Sequence, residues 1–105
     1  MARFDVYANP GRHADSTPYL LDVQSDLLDG LESCIVIPLR RRDRFPAVAL
    51  ADRLSPTLSI AGAEFILETP KMGAVPRRAL GAPLLSLAAE RARVTAAMDF
   101  LFRGF

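Results

Sequence analysis

The feature that most constrains this chain is its punctuation. From Phe4 to Ala79, short apolar or alternating segments follow one another, each closed by proline, glycine or a polar turn. Segments that short suit strands, and they leave little room for a helix before Ser86. Arg3-Phe4-Asp5-Val6-Tyr7-Ala8 alternates, with Phe4, Val6 and Ala8 on one side, and Asn9-Pro10-Gly11 ends it. Tyr19 to Val23 reads as a second strand whose Tyr19, Leu21 and Val23 share a face. Asp22 is then expected on the outer face. Cys34-Ile35-Val36-Ile37 is apolar on both sides, so it should be the most buried strand. Pro38 lacks an amide proton and predicts a strand end or an unpaired edge position there. Thr57–Ile60 and Ala63–Glu68 predict a hairpin around Ala61-Gly62, with Phe65 and Leu67 on one face and Glu64, Ile66 and Glu68 on the other. A further short strand is expected around Ala74–Ala79. Between Pro46 and Pro56, Ala47–Leu54 has room for two helical turns.

The last segment changes period. Leu87, Val94, Met98, Leu101 and Phe105 recur as one helical stripe. Ser86 is the expected N-cap, Glu90 falls in the first turn where the helix dipole favours acid, and Gly104 is the natural stop. Phe100 and Phe102 lie off the stripe on opposite sides. A small barrel has too little surface to cover all three aromatics, so a partner surface is expected at this end, most simply a second copy of the chain.

The 105 residues suit one domain, residues 1–105. Eight prolines and six glycines are scattered, with no low-complexity linker. The net charge of +1 argues against a coat for nucleic acid. Its distribution is uneven. Residues 1–37 hold two basic and six acidic groups, a net of −4, whereas residues 38–105 hold eleven basic and six acidic, a net of +5. That asymmetry suits steering of a charged partner or internal pairing. The single cysteine, Cys34, excludes an intrachain disulfide. No apolar signal core or membrane-length apolar run occurs, so a soluble cytoplasmic chain is expected.

Little here points to catalysis. His13 is the only histidine, in a loop, and has no second histidine or cysteine at metal-ligand spacing. No phosphate-cradling loop, dinucleotide fingerprint or nucleophile elbow is present. Neither a metal nor a cofactor is expected. Asp22, Asp26 and Asp29 can be read as an acid–base or cation cluster, but Asp26 and Asp29 fit better as caps of a turn. The run Arg40-Arg41-Arg42-Asp43-Arg44, and likewise Arg77-Arg78, reads either as a solvated face or as a contact for phosphate or acidic peptide. Leu27 and Leu28 stand side by side in a turn, so at least one must face outward or meet another chain.

Five segments, in order, resemble one family. They are Phe4-Asp5-Val6-Tyr7; Leu21-Asp22-Val23-Gln24-Ser25-Asp26-Leu27-Leu28-Asp29; Val36-Ile37-Pro38-Leu39; Met72-Gly73-Ala74-Val75-Pro76; and the end from Met98 to Phe105. Together they resemble the CcdB toxins. The resemblance implies an α+β, mostly β fold: an SH3-like barrel of antiparallel strands with a small flap sheet and a C-terminal helix, as in the CcdB and MazF toxins. It implies a homodimer that acts as the toxin of a type II toxin–antitoxin pair. Such a toxin binds the A subunit of DNA gyrase, traps the cleaved DNA complex, and is neutralised by a cognate CcdA-like antitoxin with an acidic tail. It meets DNA only through the antitoxin complex, and it is not an enzyme.

Carried over by position, the gyrase contacts are Ser25, Leu27, Leu28, Asp99, Phe102, Arg103, Gly104 and Phe105. Arg103 stands where the best-known member has tryptophan. Losing such an anchor costs about 2 kcal/mol, roughly thirtyfold in affinity. Asp99, one turn earlier, is expected to pair with Arg103 and draw it back along the helix. Antitoxin contacts are assigned on charge alone to Arg12, His13, Arg40, Arg41, Arg42 and Arg44. Two other readings stay open. One is a toxin-fold protein with weak gyrase poisoning that serves as an antitoxin decoy or operon regulator. The other is a ribonuclease toxin of the MazF or Kid type, which needs an acidic and basic catalytic set.

Overall fold

A computed structural model describes residues 2–44 and 51–104. Of the helical turns expected over Ala47–Leu54, residues 47–50 lie outside the described residues, as does Phe105, while 51–55 make a single turn in which the Leu54 and Ser55 amides both donate to the Ala51 carbonyl at 2.9 Å. Seven strands form one sheet: β1 (Asp5–Ala8), β2 (Tyr19–Asp22), β3 (Ser33–Arg41), β4 (Thr57–Ile60), β5 (Ala63–Leu67), β6 (Gly73–Pro76) and β7 (Leu85–Ser86). Their order is β4-β5-β3-β2-β1-β7, with β6 also on β3, and every pairing is antiparallel. Helix α1 (Arg91–Arg103) follows.

β3 organises the sheet. One edge pairs with β2, while the other takes β6 beside Ser33–Val36 and β5 beside Leu39–Arg41. Pro38 falls in the gap between those two partners. Of the two expectations for Pro38, the strand end fails, because β3 runs through it, and the unpaired edge position holds. Its carbonyl accepts the Glu68 amide at 2.9 Å. An extended residue presents its nitrogen to the same side as its carbonyl, so the missing donor faces that gap and no ladder bond is lost.

One face of the sheet carries the main core. Val6, Leu21, Ile37, Leu39, Leu58 and Leu67 are buried there, and Val94 and Ala97 of α1 close over them. Each fully buried aliphatic contributes roughly 1.5–3 kcal/mol. The second face is covered as well, which the alternation did not reveal. Leu20, Cys34 and Val36 form a second cluster against Val75 and Leu80. Tyr7 and Asp22, which point the same way, are buried with it, and Asp22 is only 3 % exposed. The outer-face expectation for Asp22 therefore fails. Ile66 and Glu68 are buried as well, and Ala8 is exposed although it was expected on the buried face of β1.

Turn chemistry follows the residues. Ala61 and Gly62 both have positive φ, at 53° and 84°, as a two-residue hairpin requires. β6 stops at Pro76, and Arg77–Ala79 is a single 3-10 turn, not the end of a longer strand. Ser86 accepts the Ala88 amide, but it is not the N-cap of a helix: Leu87 precedes the 3-10 turn Ala88–Glu90, and α1 begins only at Arg91, after Glu90. Gly104, at φ 80°, ends α1 by donating to the Phe100 carbonyl at 2.9 Å.

Candidate functional site

The turn that follows β2 is a 3-10 turn, Asp26–Leu28. The Ser25 hydroxyl accepts the Leu27 amide and is the cap that the sequence assigned to the aspartates. Asp26 reaches further and accepts the amide of Arg3 at 2.7 Å. Asp29 pairs with Arg77 at 3.7 Å. Leu27 is 94 % exposed, and Leu28 and Leu31 are about half exposed. Three large apolar side chains thus face water from one short segment whose backbone is tied down.

Gln24 lies inside that turn. Its side-chain amide donates to the carbonyls of Leu28 (3.3 Å) and Ser33 (3.1 Å), and its oxygen accepts the Ile35 amide at 3.1 Å. Arg77 reaches the same turn from the far side, donating to the carbonyls of Leu31 (2.8 Å) and Leu28 (3.5 Å). Sequence reasoning passed over Gln24 and read Arg77 only as surface charge. The missed signal in Gln24 is an amide flanked by a buried strand and a turn, where both of its ends can bond backbone.

Beneath the turn, Asp22 accepts the Gln24 amide at 2.9 Å. Burial raises the pKa of Asp22 above the usual carboxylate range, with a smaller push from Asp26, while the Gln24 amide, the Cys34 thiol and Arg77 act the other way. Burial, then the bond to Asp22, pushes the Cys34 thiol up to about 12. Cys34 is therefore a neutral, unreactive thiol at neutral pH. The Tyr7 phenol is likewise raised to about 12, chiefly by burial, and its hydroxyl has no hydrogen-bond partner among the described residues. Tyr7, Asp22 and Cys34 are enclosed on the second face, so they cannot meet a substrate.

The helix end is built differently. Phe102 is 69 % exposed, and Asp99, Arg103 and Gly104 are exposed around it. Phe100, expected to lie uncovered, is only partly exposed and has the Arg53 guanidinium 4.6 Å above its ring. Arg93 anchors α1 to the sheet by donating to the Thr57 carbonyl at 2.9 Å. Among the described residues no ion pair joins Asp99 to Arg103, so the expected i,i+4 pair is absent and the guanidinium is presented to solvent.

The basic groups assigned to an antitoxin fall in separate places. His13 and Arg40 line one cleft of about 390 Å3, together with Glu68, Lys71, Asn9 and Thr17. Arg41 and Arg42 line another, beside Asp43 and Glu64. Arg12 and Arg44 are exposed. The arginine run is not a loop: Arg40 and Arg41 end β3, and Arg42–Arg44 is one 3-10 turn. Arg41 pairs with Asp43 at 2.9 Å, and Arg40 donates to the Arg44 carbonyl at 2.7 Å. No group of three or more histidine, cysteine or acidic residues able to hold a metal occurs among the described residues. Among them, too, no helix is long and apolar enough to cross a membrane.

The described residues thus form an antiparallel sheet closed by a C-terminal helix, with apolar residues exposed on a pinned turn and at the helix tip. Residues 3–104 match the family model described as CcdB protein. The chain belongs to the CcdB family, and so to the toxins of toxin–antitoxin systems. No curated protein matches it.

Proposed function

We propose that this toxin acts by binding the A subunit of DNA gyrase and stabilising the cleaved DNA complex. Its contacts are Ser25, Leu27 and Leu28 on the turn and Asp99, Phe102, Arg103 and Gly104 on the helix end, with Phe105 closing the chain. The observation that carries this reading is the presentation of Leu27 and Phe102. Both are large, apolar and mostly exposed, and both are held on hydrogen-bonded frames. Exposure on a rigid frame suits an interface anchor, because little ordering entropy is lost on binding. The chain works as a homodimer in the cytoplasm, without a cofactor and without catalysis of its own. A CcdA-like antitoxin neutralises it through an acidic segment, for which Arg12, His13, Arg40, Arg41, Arg42 and Arg44 supply positive charge. DNA meets the toxin only through the antitoxin complex.

A supercoiling and DNA-cleavage assay with gyrase from the same host tests this. Cleaved complex should accumulate at micromolar toxin and disappear when antitoxin is added. No cleavage, with antitoxin binding intact, would overturn the poison reading. It would favour a decoy or operon regulator, the second reading supported by the solvent-facing charge of Arg103. In the same assay Arg103→Trp should raise potency about tenfold or more by restoring a large apolar anchor. No gain would mean that Arg103 does not set the potency.

A further inference from the structure

The Leu27–Leu28 turn is held by groups distant in sequence, and this arrangement goes beyond the contact surface itself. Three carbonyls in and beside the turn are engaged from within the fold. Leu31 receives Arg77, Ser33 receives Gln24, and Leu28 receives both. Arg77 also pairs with Asp29. The Arg77 amide in turn donates to the Glu32 carbonyl at 2.8 Å, so its backbone is fixed against the segment its side chain grips. On the opposite side, Arg3 donates its amide to Asp26 and its Nε to the Val23 carbonyl at 3.0 Å. A six-residue segment carrying three exposed leucines has little core of its own. Without these bonds it would sample many conformers, and a partner would have to select one of them.

We propose that Arg77 is a positioning residue of the toxin surface: its guanidinium clamps the Leu28 and Leu31 carbonyls and so sets the display of Leu27 and Leu28 before a partner arrives. The proposal rests on the gyrase reading for its consequence, though not for its geometry. The planar fork of arginine matters here, because one side chain serves two carbonyls and a carboxylate in fixed directions. Lysine at the same place keeps the charge near Asp29 and Asp22 but cannot reproduce the fork.

The experiment compares the full-length wild type with Arg77→Met, Arg77→Lys and Leu27→Ala. It measures amide exchange of residues 25–32, melting temperature, and binding to the purified gyrase A subunit. Arg77→Met and Arg77→Lys should both speed exchange in this segment about tenfold and weaken gyrase binding about tenfold. Exchange across β2 and β3 should stay slow, which shows that the variants are folded. Leu27→Ala should weaken binding with exchange unchanged, which separates direct contact from positioning. Unchanged exchange in Arg77→Met would overturn the clamp, and so would Arg77→Lys matching the wild type in both readouts, since charge alone would then suffice. Failure of the wild type to bind gyrase would sink the gyrase reading instead, and the exchange comparison would still decide the clamp.

Discussion

The turn at Ser25–Leu31 and the tip of α1 present the same kind of surface by opposite means. Both leave large apolar side chains in water: Leu27 on the turn and Phe102 on the helix. At the tip, the frame is local. Backbone bonds of the helix and the Gly104 cap hold Phe102, while Val94 and Ala97 in the core, Arg93 and the Arg53–Phe100 stack tie the helix back to distant residues. At the turn, the local frame is thin, a 3-10 turn of three residues. What holds it comes from Gln24, from Arg3 and, 46 residues away from Leu31, from Arg77. A helix of 13 residues has a continuous backbone ladder and a core-facing stripe to hold it, whereas a three-residue turn has neither. A substitution far along the chain should therefore disturb the turn and leave the tip alone.

The largest effect should come from removing an anchor at the tip. Phe102→Ala should weaken gyrase binding about thirtyfold, roughly 2 kcal/mol, with the melting temperature almost unchanged, because the ring is mostly in water already. Calorimetric titration beside thermal melting checks both halves. A fall in stability as large as the fall in binding would mean that Phe102 is structural, which would break the comparison. On the turn, Ser25→Ala should lower stability by about 1 kcal/mol through loss of its bond to the Leu27 amide. In a chain of this size that is about 4 °C in melting temperature. Gly104→Ala should cost slightly less, about 0.5–1 kcal/mol, since alanine must take the same positive φ. That loss should appear as fraying of the last helical turn in exchange measurements and leave Leu28 and Leu31 untouched.

A pH response should distinguish the two regions further. Asp22 sits under the turn with its pKa raised by burial, so between the unfolded and the folded value the folded chain holds a proton that the unfolded chain has released. That contribution to stability is fully present below the unfolded value of 3.8 and is lost as pH rises through the folded value. Asp22→Asn keeps an acceptor for the Gln24 amide without the charge. Its melting temperature should exceed that of the wild type at pH 8, and the difference should close as the pH falls toward 4. A constant difference across that range would mean that Asp22 does not titrate in the fold.

The strands were legible because their signals are local. Phe4 to Ala8, Tyr19 to Val23 and the Ala61-Gly62 hairpin each follow from alternation and turn residues within a few positions. The stripe of α1 was legible for the same reason. The strand-end reading of Pro38 failed because its tolerance depends on where β5 ends, at Leu67, and β6 begins, at Gly73, some thirty residues later. Asp22 was misread because alternation assigns a face but not what covers it. For Asp22 the cover is the Val75–Leu80 stretch around the Arg77 turn. The candidate surface divides in the same way. Leu27, Leu28 and Phe102 were named from the sequence, and the structure places all three in water, whereas Gln24 and Arg77 were invisible as their supports.

By itself, then, the sequence determined the strand segments, the C-terminal helix with its Gly104 stop and, through the resemblance of five segments in order, the toxin family, since each rests on residues close together along the chain. Only the tertiary structure decided that the sheet is covered on both faces, that Asp99 leaves Arg103 exposed, and that Arg77 grips the turn at Leu28. Those outcomes depend on which distant groups meet, and a hydrogen bond across 46 residues leaves no mark on the local pattern of either end.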